Sequence, residues 1–296
     1  MTLLSIRSLW VNARRNLTAE HSLQDLNLDL QVGERLALVG GRDQGPSLLL
    51  SVLAEPVQAR SGVAAGSIWL ELPGEGRLTL WRLLSTQKTA ILALDLEDLA
   101  HRPRAALKTI DRDAKVSLSG VLDAKRTGPL RSAELVTTSL ALIKAVSPKI
   151  LLLRDPPIAD PILWTGFANG IREISASGTA VIFQTSDLVR AAEICERSLV
   201  FYAGRVVEDG VASDLRDLPK HPLTGLLGKC LPEAVMAKTA FPVGKVGPPL
   251  PASVSKGCPF HPRCANALAG CYVDLPELVG TSSHRWACHR PLGSAR

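Results

Sequence analysis

Short apolar runs alternate with stretches of helical periodicity along the first 220 residues of this chain. Strands are predicted at 26–34, 35–40, 149–153 and 180–184. Buried helices are predicted at 47–54 and 132–146. Alternation of this kind indicates an α/β fold, in which helices flank a parallel sheet.

Turn residues between strand-like runs predict two hairpins. The first joins 67–72 to 77–80 through a glycine-rich turn, and the second spans 199–207 and turns at Ala203-Gly204. The pattern stops near Leu218, and a proline-rich stretch follows at 241–251. We therefore predict a main domain over residues 1–220 and a small C-terminal domain over residues 221–296.

Composition narrows the class of protein only modestly. The chain has 296 residues, of which 46% are hydrophobic and 21% are charged, as in ordinary globular proteins. No apolar run reaches the roughly 18 residues that span a bilayer, and no signal peptide is expected after Met1. The net charge of +6 is spread along the chain, so no nucleic-acid partner is predicted. A basic protein beside anionic lipid headgroups fits this charge equally well.

The most specific chemical signal is a group of four cysteines near the C-terminus. Cys258, Cys264, Cys271 and Cys288 follow the spacing C-x5-C-x6-C-x16-C and make up four of the six cysteines in the chain. In a reducing compartment, clustered cysteines more often bind metal than form disulfides. Four thiolates suit Zn²⁺ or a [4Fe–4S] cluster, and the wide gaps favour the cluster. Four cysteines without a metal remain the alternative.

A second signal lies where the first apolar strand meets the first buried helix. Gly40, Gly45 and Ser47 match the frame of a phosphate-binding loop, but Pro46 stands at the lysine position. Proline supplies neither the ammonium nor a backbone N–H, and Asp43 adds a negative charge. Each lost charge-assisted hydrogen bond is worth about 1.5–3 kcal/mol, so tight MgATP binding is not expected.

The tail resembles the C-terminal extension of ATP-binding subunits of oligopeptide and dipeptide ABC importers. The residues that carry the likeness are His221-Pro222-Leu223-Thr224, Gly257-Cys258-Pro259-Phe260, Pro262-Arg263-Cys264, Cys271 and Ala287-Cys288-His289. The resemblance implies that the four cysteines of the tail are ligands of a [4Fe–4S] cluster. Residues 1–220 resemble the P-loop ATPase domain of the same family in order and spacing.

That domain departs from the family at one functional position after another. The departures are Ala13 for the aromatic that stacks on adenine, Pro46 for the loop lysine, Leu94 for the glutamine, Arg154 for the aspartate that holds Mg²⁺, Asp155 for the catalytic glutamate and Ser186 for the switch histidine. Aligning Asp155 as the metal aspartate is an alternative register. The resemblance therefore implies a pseudo-ATPase with no catalytic residues of its own.

The signature motif is also altered, at residues 128–133. Only Leu130 matches the Leu-Ser-Gly-Gly pattern, and Arg131 and Ser132 follow it. In the family, each ATP lies between one chain's loop and its partner's signature. The resemblance therefore implies two residual sites, the degenerate loop with Gly40, Gly45 and Ser47, and the degenerate signature with Arg131 and Ser132. At the signature, the guanidinium of Arg131 would replace the lost glycine amides.

The resemblance implies a structural and coupling subunit of a peptide-type importer. Its expected partners are a second, competent ATP-binding subunit, two transmembrane permease subunits and a periplasmic or extracellular substrate-binding protein. It is expected on the cytoplasmic side of the plasma membrane as a peripheral protein, with the coupling helix docking at 94–125. Two other hypotheses are an iron–sulfur redox sensor on the same scaffold and a weak ATPase with unconventional ligands.

Overall fold

The computed structural model describes residues 1–12, 23–41, 45–55, 62–72, 74, 76–82, 90–101, 129–229 and 256–293. The strands are β1 Thr2–Val11, β2 Leu23–Gln31, β3 Arg35–Val39, β4 Val63–Leu72, β5 Gly76–Thr79, β6 Ile91–Leu94, β7 Ile150–Arg154, β8 Ala180–Thr185, β9 Arg197–Tyr202, β10 Arg205–Val211, β11 Val279–Gly280 and β12 His284–Trp286. The helices are α1 Pro46–Ala54, α2 Leu96–His101, α3 Ser132–Val146, α4 Pro161–Ala176, α5 Leu188–Ile194, α6 Ala212–Asp217, α7 Pro222–Lys229 and α8 Gly270–Val273. Short 3₁₀ turns lie at Leu80–Arg82 and His261–Arg263.

The described residues form two compact units. One comprises 1–5, 29–35 and 69–183, and the other comprises 6–28, 36–68 and 184–296. In the first unit, β7 lies between β6 and the first residues of β8. Strands β6 and β7 are parallel, with Ile91 opposite Ile150. Helices α3 and α4 pack on each other in this unit.

In the second unit the strand order is β11, β12, β10, β9, β3. Strands β3 and β9 are parallel, whereas β9, β10, β12 and β11 form antiparallel pairs. Strand β1 lies between β2 and β4 in a separate antiparallel sheet. The core of this unit is apolar, with Leu38, Leu49, Leu199 and Phe201 at 1% exposure or less.

Most of the predicted elements are confirmed. Helix α3 has the predicted bounds, α1 begins one residue earlier at Pro46, and both hairpins form at the predicted turns. Ala203 and Gly204 have φ of 48° and 80°, as a tight two-residue hairpin turn requires. The parallel pairs β6–β7 and β3–β9 confirm the predicted α/β class. The division near residue 220 stays a prediction.

No helix among the described residues is both long enough and apolar enough to cross a membrane.

Candidate functional site

The predicted phosphate-loop glycines lie between β3 and α1. The Gly40 N–H donates to the Thr185 carbonyl at 3.0 Å, which ties the end of β3 to the end of β8. Gly45 precedes the helix with φ 117°, a conformation that L side chains rarely adopt. A Cβ on Gly45 would lie 3.0 Å from Leu23 Cδ2 and 3.2 Å from Phe201 Cδ1. The glycine at this position is therefore required by both backbone conformation and packing.

Pro46 is the first residue of α1 and is buried. Its ring fits the first helical turn, where the missing N–H breaks no intrahelical bond. The structure thus places a buried, uncharged ring where the loop lysine of an ATP site would begin. This explains how the local fold is kept although the ammonium is absent.

Ser47 does not present a free hydroxyl. Its Oγ accepts a hydrogen bond from Nε2 of Gln184 at 2.7 Å. Gln184 is the fifth residue of β8 and is only 8% exposed. The apolar pattern predicts Gln184 only as the last residue of a strand and does not indicate this contact. Its one signal in the sequence is a polar side chain at the end of the run Ala180-Val181-Ile182-Phe183.

The switch position follows directly on this strand. Ser186 is exposed, and Asp187 begins α5 by accepting the N–H groups of Val189 and Arg190 at 2.7 and 3.2 Å. Asp187 is therefore an N-cap, which stabilises the helix. Ser186 directly follows β8, and its hydroxyl lacks the ring nitrogens of a histidine.

In the other unit, β7 ends at Arg154, the predicted replacement for the metal aspartate. Arg154 Nη1 lies 3.3 Å from Asp95 Oδ2, and both side chains are more than 40% exposed. Asp95 also accepts the N–H groups of Glu97 and Asp98 at the start of α2. Arg154 thus pairs with the helix cap Asp95. Leu94, the predicted replacement for the glutamine, is buried at the end of β6.

The altered signature lies at the start of α3 in the same unit. Leu130 is buried, whereas Arg131 and Ser132 are exposed. The Arg131 backbone N–H donates to Glu134 Oε2 at 2.8 Å, which caps the helix. Arg131 and Ser132 are thus presented to solvent at the N-terminus of a 15-residue helix. This is the end of a helix that favours anions.

Several predicted positions lie outside the described residues. They are Ala13, Asp43, Gly128, most of the docking segment 94–125 and the proline-rich stretch 241–251.

The four cysteines of the tail lie in one small module, which we call the cysteine module, residues 256–293. The Cys258 N–H donates to the Cys271 carbonyl at 2.9 Å, and the Leu268 N–H donates to Cys271 Sγ at 3.4 Å. Gly257 permits this close pairing, since a Cβ on it would lie 2.3 Å from the Cys271 carbonyl oxygen. Cys258 and Cys271 are buried, and Cys264 and Cys288 are partly exposed.

The electrostatic environment of Cys258, Cys264 and Cys288 favours the neutral form of these three thiols. Burial raises the pKa of Cys258 and of Cys288 to about 11. Repulsion from the other thiolates also raises the pKa of both groups, whereas hydrogen bonds from backbone N–H groups lower it. Burial raises the pKa of Cys264 as well. Cys288 interacts electrostatically with each of the other three thiols. The four sulfur atoms therefore share one environment.

The predicted metal-binding cysteine cluster is not evident in the side-chain positions. Among the residues that the structure describes, no group of three or more His, Cys, Asp or Glu side chains is placed to hold a metal ion.

Two buried carboxylates connect the cysteine module to β10. Glu208 is fully buried and accepts His284 Nε2 at 2.7 Å, and it also accepts the N–H groups of Lys220 and His221 at 2.6 and 2.9 Å. Asp209 is 3% exposed and binds two guanidinium groups, one from Arg197 at 2.8 Å and one from Arg285. His284 and Arg285 belong to β12, which pairs with β10. The contacts of Glu208 with His284 and of Asp209 with Arg285 join residues 76 positions apart, and local sequence patterns do not indicate them.

His221 of the tail is a buried neutral imidazole. Its Nδ1 accepts the Leu223 N–H at 3.0 Å, and its ring centroid lies 5.7 Å from that of Phe260. Burial lowers the pKa of His221 to about 3. The imidazole therefore acts as a hydrogen-bond acceptor at the start of α7.

Acidification is expected to destabilise the chain through His221. The unfolded imidazole titrates at about 6.5, so below that pH the unfolded state binds a proton that the folded state excludes. The stabilisation is present above pH 6.5 and is lost as pH falls toward 3, at roughly 1 kcal/mol for each pH unit. Urea unfolding at pH 7.5 and 5.5 measures this loss. His221→Asn keeps an acceptor for the Leu223 N–H and should show a smaller loss; an equal loss in both proteins would contradict the assignment.

Comparison with solved structures identifies the fold. A nucleotide-free ATP-binding cassette from an ABC transporter superposes with a TM-score of 0.57 over 77% of this chain and 98% of its own, at 16% identity. An ATP-binding cassette in its ADP conformation gives a TM-score of 0.55 over 74% of this chain and 96% of its own, also at 16% identity. The chain has the ATP-binding cassette fold.

Sequence comparisons add a class of relatives to this fold. The dipeptide transport ATP-binding protein DppD of Haemophilus influenzae is 25% identical over 99% of this chain and 96% of its own length. The probable D,D-dipeptide transport ATP-binding protein DdpD of Escherichia coli is 26% identical over 92% of this chain and 91% of its own. The family described as oligopeptide/dipeptide transporter, C-terminal region, matches residues 207–271. These likenesses are those of an ATP-binding subunit of a peptide-type ABC transporter.

Proposed function

We propose that this cassette is a catalytically degenerate ATP-binding subunit of a peptide-type ABC importer, with a structural and coupling role. The observation that carries the proposal is Pro46, which begins α1 behind Gly45 and replaces the lysine of the loop. The loop frame and the helix are kept, so the fold is kept without the charge that binds the β- and γ-phosphates. By the family's motif order, Arg154 at the end of β7 would put a cation at the position of the aspartate that holds Mg²⁺.

The same proposal assigns ATP turnover to a second, competent ATP-binding subunit. Cassettes of this kind work as head-to-tail pairs, so the partner's loop would face Arg131 and Ser132 of this chain. Both are exposed at the N-terminus of α3, and a guanidinium there suits a phosphate oxygen. The remaining partners would be two permease subunits and a substrate-binding protein outside the membrane, and this chain would sit on the cytoplasmic face of the plasma membrane.

Nucleotide binding by the isolated chain tests this function. We expect no saturable binding of MgATP in isothermal titration calorimetry at millimolar nucleotide, and no ATP hydrolysis above buffer, since the loop lacks a cation for the phosphates. A competent relative with an intact loop lysine is the matched control. Saturable, magnesium-dependent binding would contradict the proposal and would favour the weak-ATPase hypothesis.

We propose further that Cys258, Cys264, Cys271 and Cys288 hold a [4Fe–4S] cluster. Their mutual electrostatic interaction and the backbone N–H groups that point at their sulfur atoms support this assignment. Because their pKa values are raised, the thiols of Cys258 and Cys288 keep their protons, and cluster binding would displace these protons.

Anaerobic purification followed by elemental analysis tests the cluster. We expect about four irons and four acid-labile sulfides per chain, and Cys288→Ser should lose most of them because one of the four ligands is gone. Cys195→Ser is the matched control, since Cys195 is a buried thiol outside the cysteine module. One zinc per chain, or no metal at all, would overturn the assignment.

A further inference from the structure

Gln184 is a buried polar side chain for which packing alone gives no reason. Only 8% of the residue is exposed, and it ends a run of four buried apolar residues in β8. Its Nε2 has one partner, Ser47 Oγ at 2.7 Å, while its Oε1 is buried and has no hydrogen-bond partner in the part of the chain that the structure describes. A buried carbonyl oxygen without a donor destabilises a fold. The hydrogen bond to Ser47 is therefore the described contact that an apolar residue at position 184 could not make.

The atom that Gln184 contacts is the one that a metal ion would need. In a phosphate-binding loop, the hydroxyl after the lysine position coordinates Mg²⁺ through an oxygen lone pair. In this chain a lone pair of Ser47 Oγ accepts the Gln184 N–H. The carboxamide also directs the positive end of its N–H dipole at that oxygen. Mg²⁺ binds oxygen atoms through their lone pairs, so an N–H group directed at Ser47 Oγ opposes the ion by its polarity.

The residues present therefore do not fit a bound Mg²⁺ at Ser47, and the reason is separate from the missing lysine. Pro46 removes a charge that binds phosphate, whereas Gln184 donates a hydrogen bond to the oxygen that would coordinate the metal. We propose that Gln184 is a second, independent block on magnesium-nucleotide binding, acting through the hydroxyl of Ser47. This inference rests on the proposed function and explains how the loop would be kept inert even if a lysine were restored.

Four proteins separate the two blocks: the natural chain, Pro46→Lys, Gln184→Leu and the double variant. Each is titrated calorimetrically with ADP, once with magnesium and once with excess EDTA. We expect the double variant to bind MgADP at least ten-fold more tightly than Pro46→Lys, and the gain to disappear in EDTA. Gln31→Leu in the Pro46→Lys background is the control, because Gln31 is an exposed glutamine in a strand.

A second readout does not depend on nucleotide. Gln184→Leu removes the unpartnered Oε1 and should raise the melting temperature, and Gln184→Ile, which suits a buried strand, serves if the leucine variant folds poorly. Equal MgADP affinity of Pro46→Lys and the double variant, or a gain that survives EDTA, would overturn the role of Gln184. Magnesium-dependent binding by the natural chain would instead overturn the proposed function. In that case the ratio of MgADP affinities between the double variant and Pro46→Lys would still measure the effect of Gln184.

Discussion

Replacing Glu208 by alanine is expected to lower the free energy of unfolding by about 3–5 kcal/mol. The carboxylate is fully buried and accepts three hydrogen bonds, from His284 and from the backbone N–H groups of Lys220 and His221. Alanine would leave these donors without an acceptor in a site that water does not reach. Urea unfolding followed by circular dichroism at pH 7.5 measures the change.

Two variants make this result specific to Glu208. Glu208→Gln keeps the volume and one acceptor oxygen, so its loss should be smaller than that of alanine. Glu71→Ala removes an exposed glutamate from a strand and should change stability by no more than about 0.5 kcal/mol. A loss below about 1 kcal/mol for Glu208→Ala would show that the carboxylate does not hold the cysteine module to β10.

The second large effect is expected in the assembled transporter, when Arg131 is replaced by alanine. The guanidinium is exposed at the N-terminus of α3, where it would contact the nucleotide bound to the partner's loop. A charge-assisted contact is worth about 1.5–3 kcal/mol, which corresponds to a ten-fold or greater fall in the ATPase rate. The measurement is ATP hydrolysis by the purified complex in detergent or nanodiscs.

Ser47→Ala tests the asymmetry of the two sites in the same assay. Its hydroxyl is held by Gln184, so its removal is expected to leave the ATPase rate of the complex unchanged. Lys144→Ala, an exposed cation near the other end of α3, controls for loss of charge from that helix. If Ser47→Ala and Arg131→Ala lower the rate equally, the division into one inert and one active site is wrong.

Local pattern was enough to predict the elements that frame the loop. Apolar periodicity fixed the bounds of α3, and glycine spacing located the turn between β3 and α1. Proline at the first helical position agrees with local helix chemistry, so the start of α1 near Pro46 was also readable from the sequence. These features depend on residues that are close together in the chain.

The contacts that decide the chemistry depend on residues that are far apart. Ser47 and Gln184 are separated by 137 positions, and nothing in either local pattern indicates that they meet. Glu208 and Asp209 are adjacent acidic residues of β10, and each has one partner in the distant strand β12, His284 and Arg285 respectively. Cysteine spacing, a reducing compartment and the family resemblance together predict metal binding, but none of them reports how far apart the sulfur atoms lie.

Strand β12 pairs with β10 at three positions, Glu208 with Trp286, Asp209 with Arg285 and Gly210 with His284. Without residues 256–293, this side of the seven-residue strand β10 would become an open sheet edge with unpaired amide and carbonyl groups. Open edges of this length promote edge-to-edge association between molecules. Among the residues that the structure describes, the outermost strand on this side of the sheet is β11, which has two residues. The tail therefore also protects the cassette against aggregation, and cassettes cut near residue 220 are expected to self-associate.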